Sequence, residues 1–309
     1  MQGNPICPLC RCDSGQVRET LSSVALRDAY RRTFHLDIRS FLLAPQIEYR
    51  ECSVCHLRYF TPVKPASPAI YQHLQKLPWY YESNKREFTL ASDWISPRAT
   101  VLEIGCGEGA FASFMKREYY TGVEFNPSAV KTGRDQGLRI LQTSIERLAS
   151  RSETYDIVCS FQVLEHVFDP GAILDASIRC LAPNGRLIVA VPGWDSFLGF
   201  TANNVLNLPP HHLTHWPDET FRYLENIYSL KLEALLYTPL EEQHRTWFYQ
   251  SLIRQILLQG TRQDFRLLDR RIFTGILNRI SNYLARRIPK SLSEKIAPRG
   301  HTVMAVYRH

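Results

Sequence analysis

Short apolar runs recur along the middle of the chain, and most of them end at glycine, proline or an acidic residue. Runs of this kind predict buried strands, whereas apolar residues three or four apart predict helices. Val101, Leu102 and Ile104 predict a strand, residues 105–109 a turn, and the apolar residues from Ala110 a helix. Further strands are predicted at 121–124, before 143–145, at the start of 155–170, within 181–193, at 228–237 and at 301–309. Because helical patterns separate these strands, the chain is predicted to be an α/β protein with a parallel sheet.

The flanking segments carry helical patterns. Residues 24–41 place apolar side chains at steps of four, namely Leu26, Tyr30, Phe34 and Ile38. Three prolines mark a linker near 63–70, and a helix from Glu82 is predicted to pack over the glycine turn. About 60 residues separate the last two predicted strands, so 239–300 is predicted to be a mostly helical insertion.

Strand, glycine turn and helix together form a corner that binds nucleotide cofactors, because bare backbone lets a ligand approach closely. The letters GCGEGA also fit the dinucleotide pattern if Ala110 replaces the third glycine. Glu103 argues against a dinucleotide, since its carboxylate would repel a pyrophosphate, and it suits S-adenosylmethionine, which carries an ammonium and a sulfonium. Glu124 ends the next strand 21 residues later, about the spacing at which a carboxylate binds ribose hydroxyls.

Two further segments follow in order, YDIVCSFQVLEHVFDP at 155–170 and LAPNGRLIVAVPG at 181–193. With these four motifs, the sequence resembles the class I S-adenosylmethionine-dependent methyltransferases, whose first motif reads hh(D/E)hGxGxG, and the last two segments look like the family's fourth motif and fifth strand. The resemblance covers about 78–237 and the last ten residues. It implies a Rossmann-like sheet of seven strands with helices on both faces, whose last strand is antiparallel and lies between the fifth and sixth. It also implies these cofactor-binding residues: Glu103, Gly105, Cys106, Gly107, Gly109, Glu124, Phe125, Ser144, Ile145, Phe161, Gln162 and Tyr81. Many relatives have an acid where this chain has Ser144, so backbone contacts to the adenine are expected there.

Two C-x2-C pairs occur in the N-terminal segment, Cys7 with Cys10 and Cys52 with Cys55. Four thiolates are the ligand set of a structural zinc ribbon, which leaves no coordination position open for water. Spare ligands are Cys12 and His56, and the alternative is four thiols without metal. This pattern before a methyltransferase core is similar to that of bacterial sugar C-methyltransferases and of related enzymes from surface-polysaccharide and secondary-metabolite pathways.

Histidine is the natural base for removing a proton from a methyl acceptor, because its pKa lies near working pH. His166 follows the fourth strand, and the alternative for it is a packing role. His211 and His212 lie after the fifth strand, at the sheet edge where α/β folds bind ligands, and a helix is predicted from Pro217. These three histidines are the predicted catalytic residues. A metal held by the loop histidines, which include His215, is the less favoured hypothesis because no acidic residue has obvious ligand spacing.

Composition refines this reading. The start of the chain has no basic and apolar signal pattern, and no apolar run approaches 18 residues, so a cytoplasmic protein is expected. Residues 243–300 contain twelve Lys or Arg and three Asp or Glu, a surplus of nine in a chain of net charge +7. Leu and Ile between these basic residues favour peripheral contact with an anionic inner membrane surface over nucleic acid, and the alternative is a packed helical cap.

The predicted organisation has five parts: a zinc-ribbon-like segment (1–66), a linker and lid helix (67–98), a methyltransferase core (99–238), a basic helical insertion (239–299) and a final core strand (300–309). The leading hypothesis is methyl transfer from S-adenosylmethionine to a small-molecule, sugar, glycan-precursor or lipid-linked acceptor. The alternative is an rRNA or tRNA methyltransferase that uses its zinc ribbon and basic segment to bind RNA. The sequence leaves open whether O, N or C is methylated, and it leaves the oligomeric state unknown.

Overall fold

A computed structural model describes residues 5–77, 85–261 and 263–309. The strands, in chain order, are β1 (Gly15–Ser22), β2 (Gln46–Cys52), β3 (Arg58–Thr61), β4 (Val101–Ile104), β5 (Tyr120–Val123), β6 (Ile140–Leu141), β7 (Tyr155–Phe161), β8 (Leu181–Pro192), β9 (Thr214–His215), β10 (Lys231–Pro239) and β11 (Arg299–Arg308). The α-helices are α1 (Ser23–Phe34), α2 (Pro68–Leu74), α3 (Arg86–Ser92), α4 (Pro127–Asp135), α5 (Ile145–Ala149), α6 (Pro170–Arg179), α7 (Asp218–Ile227), α8 (Arg245–Gln259), α9 (Ile272–Ala285) and α10 (Lys290–Ile296).

Seven strands form the central sheet in the order β10-β11-β8-β7-β4-β5-β6. Five neighbouring strands of this sheet are parallel to one another: β8, β7, β4, β5 and β6. Strand β11 runs antiparallel to both β8 and β10. The predicted Rossmann-like, seven-stranded class I sheet is therefore confirmed, including the last strand between the fifth and the sixth.

Residues on alternate positions of the strands enter two separate apolar clusters. Leu102 and Ile104 pack in a cluster that also contains Leu174 of α6 and Phe221 of α7. Val101 belongs to the other cluster, together with Phe88 of α3 and Phe111 after the glycine turn. Successive strand side chains point to opposite faces, so the sheet carries helices on both sides, as predicted.

Several predicted bounds shift. The segment after the glycine turn is a short 3-10 helix, Ala110–Phe114, rather than an α-helix, because only ten residues separate Gly109 from β5. β6 ends at Leu141, before the predicted 143–145, because Ser144 is already the N-cap of α5. The helix predicted at 24–41 ends at Phe34, where His35 adopts the left-handed conformation.

A second, four-stranded antiparallel sheet has the order β1-β2-β3-β9. Its last strand, β9, comes from the segment after β8, so the N-terminal residues pair with the core chain. The Tyr30 hydroxyl of α1 also donates a 2.7 Å hydrogen bond to the Leu208 carbonyl. The loop that contains His211 and His212 is thereby held between the two sheets.

The insertion between β10 and β11 is helical, as predicted, and consists of α8, α9 and α10. The side of α9 that faces the protein carries small or polar residues with one leucine: Thr274, Leu277, Ser281 and Ala285. Its opposite side is exposed and apolar: Ile272, Phe273, Ile276, Ile280, Tyr283 and Leu284. This distribution is the reverse of that expected for a surface helix of a globular protein.

Candidate functional site

The glycine turn follows β4 and exposes backbone at the carboxyl edge of the sheet. Gly105, Gly107 and Gly109 all have positive φ angles, of 67°, 55° and 86°. The Gly105 amide donates to the Val123 carbonyl at 2.8 Å, and a Cβ atom on Gly105 would lie 2.6 Å from Cγ2 of Val163. A side chain here would therefore strain the turn and collide with the loop after β7.

Glu124 follows β5 and holds the glycine turn through its carboxylate. One oxygen accepts a 3.0 Å hydrogen bond from the Gly107 amide. The other accepts bonds of 2.7 Å and 2.8 Å from the amides of Phe125 and Asn126. The carboxylate thus lies beside the turn, and the predicted pair of cofactor-binding elements is adjacent in space.

Glu103 lies inside the sheet, with only 3% of its surface exposed. Its carboxylate accepts a hydrogen bond from the Tyr120 hydroxyl, and burial raises its pKa to about 8. In this structure the carboxyl is enclosed among strands β4, β5 and β7 rather than open to a ligand.

The remaining predicted cofactor contacts fall into two groups. The side chains of Cys106, Ile145 and Phe161 are buried in the core, so these residues offer a ligand mainly their backbone. Phe125 is 69% exposed, and the Ser144 hydroxyl caps α5 by accepting from the Arg147 amide at 3.3 Å.

Gln162 adopts a positive φ of 59° directly after β7. Its side-chain amide donates to Glu87 at 3.1 Å and to Thr302 at 3.3 Å. These bonds connect α3 and β11 to the loop. Tyr81 lies outside the described residues.

The structure brings His166 together with His211 and His212, although 45 residues separate the two segments. The His166 ring lies 4.5 Å and 4.8 Å, centroid to centroid, from the other two, which stack at 4.7 Å. His215 points elsewhere, since its Nε2 donates to the Asn207 carbonyl and its Nδ1 accepts from the Tyr49 hydroxyl. The loop histidines His211, His212 and His215 therefore do not form one group, and His166 lies with the first two instead.

Burial keeps the three clustered imidazoles neutral. It lowers the pKa of His166 to about 4 and lowers the pKa of His211 and His212 well below the usual value. Neutral imidazoles at physiological pH accept hydrogen bonds or bind metal, but they are weak bases.

Glu165, which the sequence analysis passed over, is fully buried beside the histidine cluster. Its Oε1 lies 3.7 Å from Nε2 of His166, and neither carboxylate oxygen has a hydrogen-bond partner among the described residues. Burial raises its pKa to about 8. The only signal in the sequence was an acidic residue next to a histidine after a predicted strand.

The four predicted zinc ligands also converge. Their sulfur atoms all lie within 4.8 Å of one another, and Cys7–Cys55 and Cys10–Cys52 are 3.5 Å apart. In tetrahedral zinc sites, bonds of 2.3 Å place sulfur atoms about 3.8 Å apart. None of the four forms a disulfide. The cluster fits a zinc ion.

The two C-x2-C turns share a backbone geometry. The residue after each second cysteine, Arg11 or His56, has a positive φ, of 64° and 60°. His56 contacts Glu219 instead of the sulfur cluster, and the Cys12 thiol contacts Ser14. Neither spare ligand, Cys12 or His56, therefore belongs to the group of four sulfur atoms.

A seven-stranded sheet of this order, with a glycine turn after its first strand and an acid after its second, defines a class I methyltransferase-type nucleotide-binding fold. A family model described as a methyltransferase domain matches residues 73–258, more than half of the chain. The chain belongs to this methyltransferase domain family.

Two curated relatives are ubiquinone biosynthesis O-methyltransferases. The protein from Xylella fastidiosa (strain 9a5c) is 34% identical over 112 residues, which cover 32% of this chain and 46% of the relative. That from Xanthomonas oryzae pv. oryzae (strain PXO99A) is 30% identical over 179 residues, 50% of this chain and 74% of the relative. The chain thus spans about half the length of the first of these relatives.

Among solved structures, an S-adenosylmethionine-dependent methyltransferase from Mesorhizobium loti is similar with a TM-score of 0.47 and 10% identity, covering 73% of this chain and 99% of that one. This likeness is too distant to indicate a substrate.

Proposed function

We propose that this protein transfers a methyl group from S-adenosylmethionine to a hydroxyl of a small, partly apolar acceptor. The observation that carries the proposal is the glycine turn held by Glu124 at the carboxyl edge of the sheet. The turn supplies bare backbone for the cofactor, and the carboxylate suits its ribose hydroxyls. Membership of the methyltransferase domain family and the printed names of the two relatives support methyl transfer to oxygen.

The cofactor, when bound, supplies a methyl group on a sulfonium that an acceptor oxygen displaces in line. The chain must therefore hold the acceptor and exclude water. The loop after β7 contacts Gly105 through Val163 and continues to His166, so the histidine cluster adjoins the cofactor corner. The amides of Leu213 and Thr214 donate to the Glu165 carbonyl at 2.7 Å and 3.3 Å, which fixes the two loops against each other.

The proposed acceptor-binding residues are His166, His211 and His212. Because burial keeps their rings neutral, they suit hydrogen bonding to an acceptor better than strong base catalysis. Tyr71 packs against this cluster, with its ring 5.6 Å from that of His166, and adds an aromatic surface for a flat or apolar acceptor.

The four-cysteine cluster is proposed to hold a structural zinc ion. Four sulfur ligands would leave no open position, and the cluster ties the N-terminal turns to β2. Because β2 and β3 in turn pair with β9, a zinc ion here would stabilise the sheet that supports the histidine loop.

The exposed apolar side of α9 is proposed to bind an anionic membrane surface. Ile272 is 87% exposed and Ile276 50%. The exposed Arg279 lies midway along α9, and the exposed Arg286 and Arg287 follow its last residue. None of the three has an acidic ion-pair partner among the described residues. Apolar wedges bordered by arginine suit the headgroup boundary of a bilayer.

Other basic residues of the insertion already form ion pairs with acidic residues. Arg254 is buried and bonds Asp269 at 3.0 Å, and Arg271 bonds the same carboxylate at 2.7 Å. Arg270 and Lys290 pair with acids elsewhere. The proposed membrane contact of α9 therefore relies on Arg279, Arg286 and Arg287. No helix of the described chain has the length and apolar character that crossing a bilayer requires.

The function is tested with methyl-labelled S-adenosylmethionine and cell extract, followed by separation of lipid, sugar and RNA fractions. We expect label in an organic-soluble or small-molecule product, with a new O-methyl group identified by mass spectrometry. Glu124→Ala should reduce labelling, whereas Glu118→Ala, an exposed acid away from the turn, should not. Label confined to RNA would instead establish the nucleic-acid alternative, and no label in any fraction would contradict methyl transfer.

A further inference from the structure

Three histidines from two loops bring their ring nitrogens close together. One ring nitrogen from each of His166, His211 and His212 lies within 4.8 Å of the other two. Two of the residues are more than nine-tenths buried, and the His166 side chain is 18% exposed. Grouping three imidazoles costs solvation, and neutral rings gain little from one another.

Each ring is oriented by a hydrogen bond from its Nδ1 atom. His166 donates to the His211 carbonyl at 2.7 Å, His211 to the Leu206 carbonyl at 2.8 Å, and His212 to the Asn207 side-chain oxygen at 2.9 Å. Since carbonyl oxygens only accept, the proton lies on Nδ1 and the lone pair on Nε2 in every ring. Metal-binding histidines are held in this way, by an oxygen acceptor on the nitrogen that does not bind the ion.

The second observation is the carboxyl group of Glu165. Its side chain is 2% exposed, and both oxygens lack a hydrogen-bond partner in the described part of the chain. Oε1 lies 3.7 Å from the Nε2 atom of His166, the atom that carries the lone pair. A buried carboxyl without a partner is costly unless a cation or proton satisfies it.

We propose that His166, His211 and His212 bind a divalent transition-metal ion of the zinc or iron(II) class, with the Glu165 carboxyl group beside His166. Imidazoles are ligands that such ions prefer, whereas Mg²⁺ and Ca²⁺ prefer sets of oxygen ligands. The ion accounts together for the grouped ring nitrogens, the oriented rings and the buried carboxyl group. This site is separate from the cysteine cluster, which consists of different residues.

The place of the site indicates a role in methyl transfer, which rests on the function proposed above. Val163, two residues before Glu165, lies against Gly105 of the cofactor corner. A cation at this edge lowers the pKa of an acceptor hydroxyl that binds it, and so it replaces a strong protein base.

Binding is tested by elemental analysis of the full chain after chelation, reloading with Zn²⁺ and removal of excess metal. We expect two equivalents in the wild type, one in His212→Ala and one in Cys52→Ser. The exposed His309→Ala is the control for histidine number and should retain two. One equivalent in the wild type that disappears in Cys52→Ser would overturn the proposal, as would an unchanged metal content in His212→Ala.

Because His212→Ala removes a buried ring, it could lose metal by failing to fold. A second variant separates this effect from the loss of a ligand. Glu165→Gln keeps the volume of the side chain and should weaken Zn²⁺ binding about 10- to 100-fold in a chelator competition. Far-UV circular dichroism and the melting temperature without metal should match the wild type. Equal Zn²⁺ affinity in the two proteins would overturn the role of the Glu165 carboxyl group in this site. These measurements use neither cofactor nor acceptor, so failure of the metal site leaves methyl transfer testable, and the converse holds.

Discussion

The enclosed carboxyl of Glu103 should make the stability of this fold depend on pH. The side chain lies in β4 among strands on both sides, and burial raises its pKa from 4.5 to about 8. Between these pH values the folded chain retains a proton that the unfolded chain has released. Stability contributed by this group is therefore complete below pH 4.5 and is lost as pH rises through 8.

The size of the effect follows from the pKa difference. Each pKa unit corresponds to about 1.4 kcal/mol, so a shift of this size is worth about 3–5 kcal/mol of unfolding free energy. Glu103→Gln removes the titration and keeps a side-chain oxygen for the Tyr120 hydroxyl. The unfolding free energy of wild type minus that of this variant should thus fall by about 3–5 kcal/mol between pH 4.5 and pH 8.

The assay is urea unfolding of both proteins at several pH values without cofactor. Taking the difference between them cancels other titrating groups, such as Glu165. The exposed Glu118→Gln is the matched control and should run parallel to wild type. Tyr120→Phe removes a hydrogen bond that lowers the pKa of Glu103, so it should raise this pKa further and extend the loss of stability to higher pH. Parallel curves for wild type and Glu103→Gln would refute the enclosed-carboxyl argument.

Four further predictions follow from the site and the insertion. Glu124→Ala removes the acceptor of three backbone amides and should weaken S-adenosylmethionine binding tenfold or more by calorimetry, because lost charged hydrogen bonds cost about 1.5–3 kcal/mol each; unchanged affinity would remove its ribose role. Cys52→Ser should lower the melting temperature of the N-terminal sheet and make it insensitive to chelator, which destabilises only the wild type. His212→Ala should lower turnover about 10- to 100-fold with little change in cofactor affinity, because a buried hydroxyl left without its hydrogen-bond partner costs about 1–3 kcal/mol; normal turnover would exclude this residue from the acceptor site. Wild type should co-sediment with anionic but weakly with neutral liposomes and should be released by moderate salt, whereas Arg98→Gln should behave like wild type. A variant with glutamine in place of Arg279, Arg286 and Arg287 should lose the preference for anionic liposomes.

The sequence alone determined the elements whose signals are local. The alternation of apolar runs with helical patterns predicted the sheet, because strands and helices bury their side chains with different periods. The turn at 105–109 was visible because glycine adopts positive φ without strain, and all three of its glycines do so. The C-x2-C pairs were visible because ligand spacing within one turn is a local property.

Tertiary structure decided which distant segments meet. His166 lies beside His211 and His212 because backbone hydrogen bonds from Leu213 and Thr214 to the Glu165 carbonyl join the two loops. Glu165 became a candidate part of the histidine site through its burial beside His166, which depends on residues packed around it from elsewhere in the chain. No short-range pattern encodes such contacts, since sequence periodicity reports the face a residue occupies but not what covers that face.

The reversed polarity of α9 shows the same limit. The sequence predicted its apolar face, including Ile272 and Ile276, but the choice between a packed cap and an exposed surface depended on where the helix lies. In the structure Thr274 and Ser281 face α8, where small side chains permit close packing, and the isoleucines face outward. The helical period was determined by the sequence. Which side faces the protein was determined by the packing of the whole chain, because burial is a property of the assembled surface.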